Sequence, residues 1–361
     1  MRKKKLSKKI KALLFFEGVV GIVILIMVAL LVIKSVKTSP SEGNLESSLT
    51  ETEGVETEPT KEAPPVPEET LEPTSSVTPT PENTPEATPT ETPKPTETPE
   101  PTVEAAFSAY EKEVVSWNSS WQYAEYAKIC TSDVVFYRSV HEGRPVICIN
   151  AGHGTSGGSS VKTQCHPDGT PKVTGGTTGA GATSAVAVST GTTMVDGTPE
   201  AVVTLKVALA VRDRLLDAGY SVLMIRESED VQLDNIARTV FANNLADCHI
   251  AIHYDSTTND KGAFYMSVPD VDSYRSMEPV ASHWQEHHAL GNSLITGLKE
   301  QGVPIFEGGS MEMDLTQTSY STVASVDIEV GDRGSDYSDS TISRLADGLI
   351  EGIKALYPIQ R

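Results

Sequence analysis

From Thr38 to Glu104 the chain offers almost no large apolar side chain, while proline recurs in repeats such as Thr-Pro-Glu and Glu-Thr-Pro-Lys-Pro-Thr-Glu-Thr-Pro-Glu-Pro-Thr. Too little apolar surface is available to offset the entropy of ordering a backbone, so no core can form there. Proline and like charges keep such a tract extended, and about 70 residues at ~3.1 Å each reach roughly 200 Å. Of the 361 residues, only the stretch from about Ala106 onward can bury a sizeable core. Its roughly 250 residues suit one large α/β domain or at most two small ones.

The residues before the tract have the opposite character. Ala12 to Ile33 is apolar except for Glu17, close to the ~20 residues with which a helix spans hydrocarbon. Arg2, Lys3, Lys4, Lys5, Lys8, Lys9 and Lys11 precede it, and such positive flanks stay cytoplasmic. The expectation is a basic cytoplasmic tail over 1–11, a transmembrane signal-anchor helix over 12–34 and a disordered Pro/Thr/Glu-rich stalk over 35–105. The result would be a single-pass cell membrane protein with its folded domain outside. A cleaved signal peptide is the alternative, but no small-x-small site follows the apolar run. Residues 1–37 hold nine of the 29 Lys and Arg and one of the 49 Asp and Glu, leaving 20 basic against 48 acidic residues beyond them. So acidic a remainder argues against nucleic acid or an anionic membrane surface as its main partner. Of the four cysteines, Cys148 and Cys248 sit in apolar runs and read as buried thiols, whereas Cys130 and Cys165 are either free or paired with each other.

Within the folding part, Val146 to Asn150 is a short apolar run ending in Ala-Gly-His-Gly, the pattern of a buried strand stopped by a tight turn. Thr198 and Pro199 read as the N-cap and first turn of a helix carrying Val203, Val207, Ala210, Val211 and Leu215 at helical spacing, up to Gly219. Tyr220 to Ile225 is a second strand, and Asp234 caps a helix with Ile236, Val240 and Leu245. Strands over His249–His253, Gly262–Val268 and Ser325–Val330 and helices over Pro279–Glu300 and Thr341–Leu356 complete the pattern. Strands alternating with helices predict a largely parallel sheet covered on both faces.

His153 lies just past the first strand, His253 at the end of another and Glu329 near the end of a later one, while Glu200 opens a helix. Functional groups in open α/β sheets gather beyond the carboxyl ends of strands, so this topology can bring the four to one rim. Two imidazoles and a carboxylate give zinc three protein ligands and leave a fourth position open, the arrangement of catalytic sites. A second carboxylate can take a proton from water and hand it to a leaving nitrogen. Glu329 is the candidate, and Asp327, on the same side of the strand, its rival. Singly, each has an ordinary reading as a surface imidazole, an end-of-strand carboxylate or, for Glu200, an acid favoured by the helix dipole.

Four segments stand together in one order: Ile147-Cys-Ile-Asn-Ala-Gly-His-Gly154; Glu200 with its helix and Ala218 to Arg226; Val231 to Asp247 running into Ile250-Ala-Ile-His253; and Val326-Asp-Ile-Glu-Val-Gly331. On these the chain, from Val146 to about Tyr357, resembles the zinc-dependent N-acetylmuramoyl-L-alanine amidases of the Amidase_3 type. The resemblance implies a single α/β domain over 146–361, its twisted, largely parallel sheet flanked by helices. It implies that His153, Glu200 and His253 bind Zn2+ and that Glu329 is the catalytic carboxylate. The implied substrate is peptidoglycan, cut at the amide between N-acetylmuramic acid and L-alanine. The sequence departs from the family pattern at Tyr254-Asp255 and at Asp332-Arg-Gly334.

Residues 154–198, rich in Gly, Thr and Ser, form a connection long enough to suggest a function, with Val186–Val188 a candidate strand inside it. It is expected to overhang the metal and restrict access. His166 reads as surface, and His283, His287 and His288 as a solvated or interdomain helix face rather than a second metal site. Residues 106–145, with Trp117, Trp121 and Tyr123, should pack on the domain as an extension. Two other functions fit the same residues: a zinc peptidase acting on another extracellular amide, and a non-catalytic wall-binding module. The partners expected are peptidoglycan, the membrane through one N-terminal helix, and an unidentified protein activator; nucleic acid is not among them.

Overall fold

The computed structural model describes residues 110–359. The tail, span and stalk expected over 1–105 lie outside the described residues, and among those described no helix is long and apolar enough to cross a membrane. The strands are β1 (Tyr110–Val115), β2 (Val134–Ser139), β3 (Val146–Ala151), β4 (Lys162–Gln164), β5 (Ser184–Val186), β6 (Ser221–Met224), β7 (Cys248–Asp255), β8 (Ala263–Ser267), β9 (Ile305–Glu312) and β10 (Ala324–Asp332). The helices are α1 (Glu200–Asp217), α2 (Asn235–Leu245), α3 (Asp272–Arg275), α4 (Val280–Glu300), α5 (Thr316–Tyr320) and α6 (Asp339–Leu356).

Eight strands form one sheet in the order β1-β2-β6-β3-β7-β10-β8-β9. The parallel arrangement holds for the four central strands, β6, β3, β7 and β10. The flanks correct it: β2 runs antiparallel to β6, and β8 antiparallel to β10, so the sheet is mixed. Connection length explains the change. Residues 140–145 join β2 to β3 and residues 256–262 join β7 to β8, too short for a parallel crossover, which needs about a dozen residues or more.

Side-chain alternation sorts the two faces. Ile147, Ile149, Ile250, Ile252, Val326 and Ile328 point into the main core, where they meet Val203, Val207 and Val211 of α1, Leu290, Leu294 and Leu298 of α4, and Leu345 and Leu349 of α6. The opposite face is covered in part by α2, whose Ala237 and Phe241 pack on Cys148, Leu223 and Phe136. The extension packs there too, with Trp117 and Trp121 edge-on to Phe241 at centroid distances of 5.5 and 5.4 Å. It contributes strands β1 and β2 and a single 3-10 turn, Ala124–Tyr126. Cys148, Cys165 and Cys248 are buried, and all four cysteines are free thiols.

Two local expectations need correction. Thr198 does not cap α1: the residue before the helix is Pro199, with no side-chain cap. The Glu200 amide instead donates to Thr192 O at 3.0 Å, and Thr198 Oγ1 accepts from the Tyr337 hydroxyl at 3.0 Å. The strand inside the long connection is Ser184–Val186, pairing with β4. β9 and α5 were not foreseen. Asp234, by contrast, caps α2 as expected and does more: one oxygen accepts from Ala237 N at 2.8 Å, the other from Lys128 N at 2.5 Å and Ile129 N at 2.9 Å. Asp234→Ala removes a cap worth about 1 kcal/mol and orphans two further amides at roughly 1–3 kcal/mol each. Denaturant unfolding should therefore show a loss of about 3–7 kcal/mol, and a change below about 1 kcal/mol would contradict this role.

Candidate metal centre

The turn after β3 begins the site. His153 sits there at φ 62°, a left-handed conformation that costs a non-glycine residue energy and marks functional turns. Its neighbours must be small: a Cβ on Gly152 would stand 2.3 Å from the His253 ring, and Gly154 has φ +73°. His253, sixth of the eight residues of β7, faces away from the main core, as do Asp327 and Glu329 of β10. In the parallel register His253 is paired with Glu329. Glu200, first residue of α1, is buried and reaches the same place. One oxygen accepts from Thr192 N at 2.7 Å and the other from Tyr254 N at 3.0 Å.

His153 Nε2, His253 Nδ1 and Glu200 Oε1 meet at 2.8, 3.0 and 3.2 Å from one another. His153 Nδ1 lies 2.8 Å from the Ser189 carbonyl, which can only accept, so Nδ1 carries a proton and Nε2 is the nitrogen left to bind a metal. The three atoms are placed to hold a divalent cation between them. Their separations approach the roughly 3.3 Å between ligands of a tetrahedral site with ~2.05 Å bonds. Among the described residues this is the one cluster of three such groups that can hold a metal ion.

The electrostatics agree. Burial opposes the charge of Glu200, but hydrogen bonds and charge from His153 and His253 outweigh it and hold the carboxyl well below its usual range. Burial likewise opposes protonation of His253, yet Asp327, Glu200 and Glu329 push its pKa up to about 9. A metal bound by these residues would take that proton's place. Glu329 is buried, and its Oε2 has no hydrogen-bond partner. The centre opens into a cleft of about 530 Å³ lined also by Asp327, Tyr254, Thr192 and Met313.

The structure thus brings His153, Glu200 and His253 together and sets Glu329 and Asp327 beside them in one cleft. Sequence reasoning missed the backbone of Ser189 and Thr192, which carries no side-chain signal, and Gly191, at φ +81° against the His153 ring. The long connection is therefore part of the wall of the site. Two histidine expectations are corrected. His166 is buried, its Nε2 3.0 Å from both oxygens of Asp314, because that carboxylate is itself fully buried and draws in His166, Lys172 and Val173 N. His287 is also buried, accepting from Ser325 N at 2.9 Å, since it lies on the stripe of α4 that carries Val280, Leu294 and Leu298. Burial, with the charge of His283, lowers its pKa to about 3.

Two histidines and one carboxylate able to hold a divalent metal, with a further carboxylate beside them, suit metal-activated hydrolysis. The family model of Amidase_3, N-acetylmuramoyl-L-alanine amidase, matches residues 147–333, and the chain belongs to this family. It is a hydrolase of the amidase type acting on peptidoglycan. Among solved structures, it is similar to the N-acetylmuramyl-L-alanine amidase of Mycobacterium smegmatis, with 19% identity over 60% of this chain and 98% of that one and a TM-score of 0.49. It is also similar to the apo form of the Mycobacterium abscessus enzyme (21% identity, 59% and 98% covered, TM-score 0.45) and an amidase of Nostoc punctiforme (16%, 60% and 98%, 0.40). No curated protein sequence matches.

A Cβ at position 191 would stand 2.7 Å from His153 Cδ2 and 2.9 Å from Glu200 Oε2. Gly191→Val should therefore displace two of the three donors and weaken divalent-metal binding by at least about tenfold, measured by competition with a chromogenic chelator. Unchanged affinity would show that the connection does not shape the centre.

Proposed function

We propose that this domain hydrolyses the amide between the lactyl group of N-acetylmuramic acid and the L-alanine of the stem peptide, with zinc held by His153, Glu200 and His253 and with Glu329 as general base. The observation that supports the reading best is the meeting of two imidazole nitrogens and one carboxylate oxygen within 3.2 Å of one another, an arrangement suited to a divalent cation. Zinc there would supply Lewis acidity toward the scissile carbonyl and toward a water molecule.

The protein's own groups do the rest. Ser189 O fixes the tautomer of His153, and the amides of Thr192 and Tyr254 hold Glu200. Burial pushes the Glu329 carboxyl well above its usual range; His253 pulls the other way, and Asp327 and Glu200 add to the rise. A carboxylate so placed accepts a proton readily. Glu329 takes the proton of the attacking water and passes it to the alanine nitrogen as the C–N bond breaks, leaving a lactyl carboxylate and a free amine. The apolar run over 12–34 and the extended tract over 35–105 would tether this chemistry to the outer face of the cell membrane, within reach of the wall.

Glu329→Gln in the full-length chain should keep one bound zinc and lower peptidoglycan hydrolysis about 10²–10⁴-fold, with products read by mass spectrometry. Wild-type products should be intact stem peptides with new L-alanine amines. New amines inside the stem peptide would instead identify a peptidase, and an undiminished rate in Glu329→Gln would remove Glu329 from its role.

A further inference from the structure

On the metal reading above, we propose that Asp327 is a positioning residue for His253, accepting from Nε2 and so fixing the ring with its Nδ1 lone pair toward the metal. The two ring nitrogens face different neighbours. Nδ1 lies 3.0 Å from His153 Nε2 and 3.2 Å from Glu200 Oε1. Nε2, across the ring, lies 3.6 Å from Asp327 Oδ2, a small ring rotation from hydrogen-bond length.

Packing alone cannot set this orientation. The ring lies against Gly152, where a Cβ would meet Cε1 at 2.3 Å, but a ring flip exchanges nitrogen for carbon with almost no change of shape. Only a hydrogen-bond acceptor distinguishes the two states. Asp327 is the acceptor in place. It alternates with Val326 and Ile328 on β10, in register with Ala251, two pairs before the His253–Glu329 pair and so on the same face. Its Oδ1 is buried with no hydrogen-bond partner. A largely buried carboxylate without its full set of partners costs stability rather than supplying it, so the fold does not account for it. Glu329 does not serve in its stead: it forms no ion pair with His253 within 4.0 Å among the described residues, whereas Asp327 does.

The test compares the full-length wild type with Asp327→Asn and Asp327→Leu. Zinc affinity is read by chelator competition, and thermal unfolding is followed without metal. Asn keeps a neutral acceptor and Leu keeps only volume. Affinity should fall about tenfold in Asp327→Asn and about 100-fold in Asp327→Leu, with the metal-free unfolding temperature unchanged or raised. Equal affinity in all three proteins would overturn the proposal. So would a loss of affinity that merely follows a lowered metal-free unfolding temperature, since that is damage to the fold. A wild type that binds no zinc would overturn the metal reading itself, and this inference with it.

Discussion

Two buried guanidinium groups hold the turn on which the site is built. Arg226 donates to the carbonyls of Ala151 at 3.0 Å and Gly152 at 2.8 Å, and Arg238 to those of Ala151 at 3.2 Å and His153 at 2.7 Å. Three successive carbonyls leaving a strand inside the protein need donors, because water cannot reach them. Burial lowers both guanidinium pKa values, to about 10 and about 9, which leaves them charged at neutral pH. Held in this way, the chain sustains the left-handed backbone of His153, whose cost is of order 1–3 kcal/mol.

Everything else at the centre follows from alternation along two parallel strands. On β10, Val326, Ile328 and Val330 enter the main core, which turns Asp327 and Glu329 to the other face. On β7, Ile250 and Ile252 do the same for His253. The side opposite the main core is only partly covered by α2 and α5, so these polar groups open into a cleft instead of being sealed in. Carboxylates then surround an imidazole pair, and the excess of negative charge is what makes a cation at the centre favourable.

The central strands, α1, α2, α4 and α6 were legible because each has a long apolar period that a single register satisfies. His153, Glu200, His253 and Glu329 were legible mainly through a family resemblance, since a histidine after a strand says little by itself. What escaped depended on partners distant in sequence. His166 reads as a loop histidine until Asp314, 148 residues away, is seen to need it. β9 has mixed exposure along its length and so no clear period. The antiparallel flanks are encoded in loop lengths rather than in any apolar period. His287 was recoverable from its spacing to Leu294, where helical position outweighs polarity.

Residues from three separate elements, the turn after β3, α1 and β7, converge on one position suited to a metal ion. Anomalous scattering from crystals, measured on both sides of the zinc absorption edge, tests it most directly. The expected result is a single zinc peak bonded to His153 Nε2, Glu200 Oε1 and His253 Nδ1. A peak at other residues, or the same three side chains meeting with no metal after zinc is supplied, would contradict it.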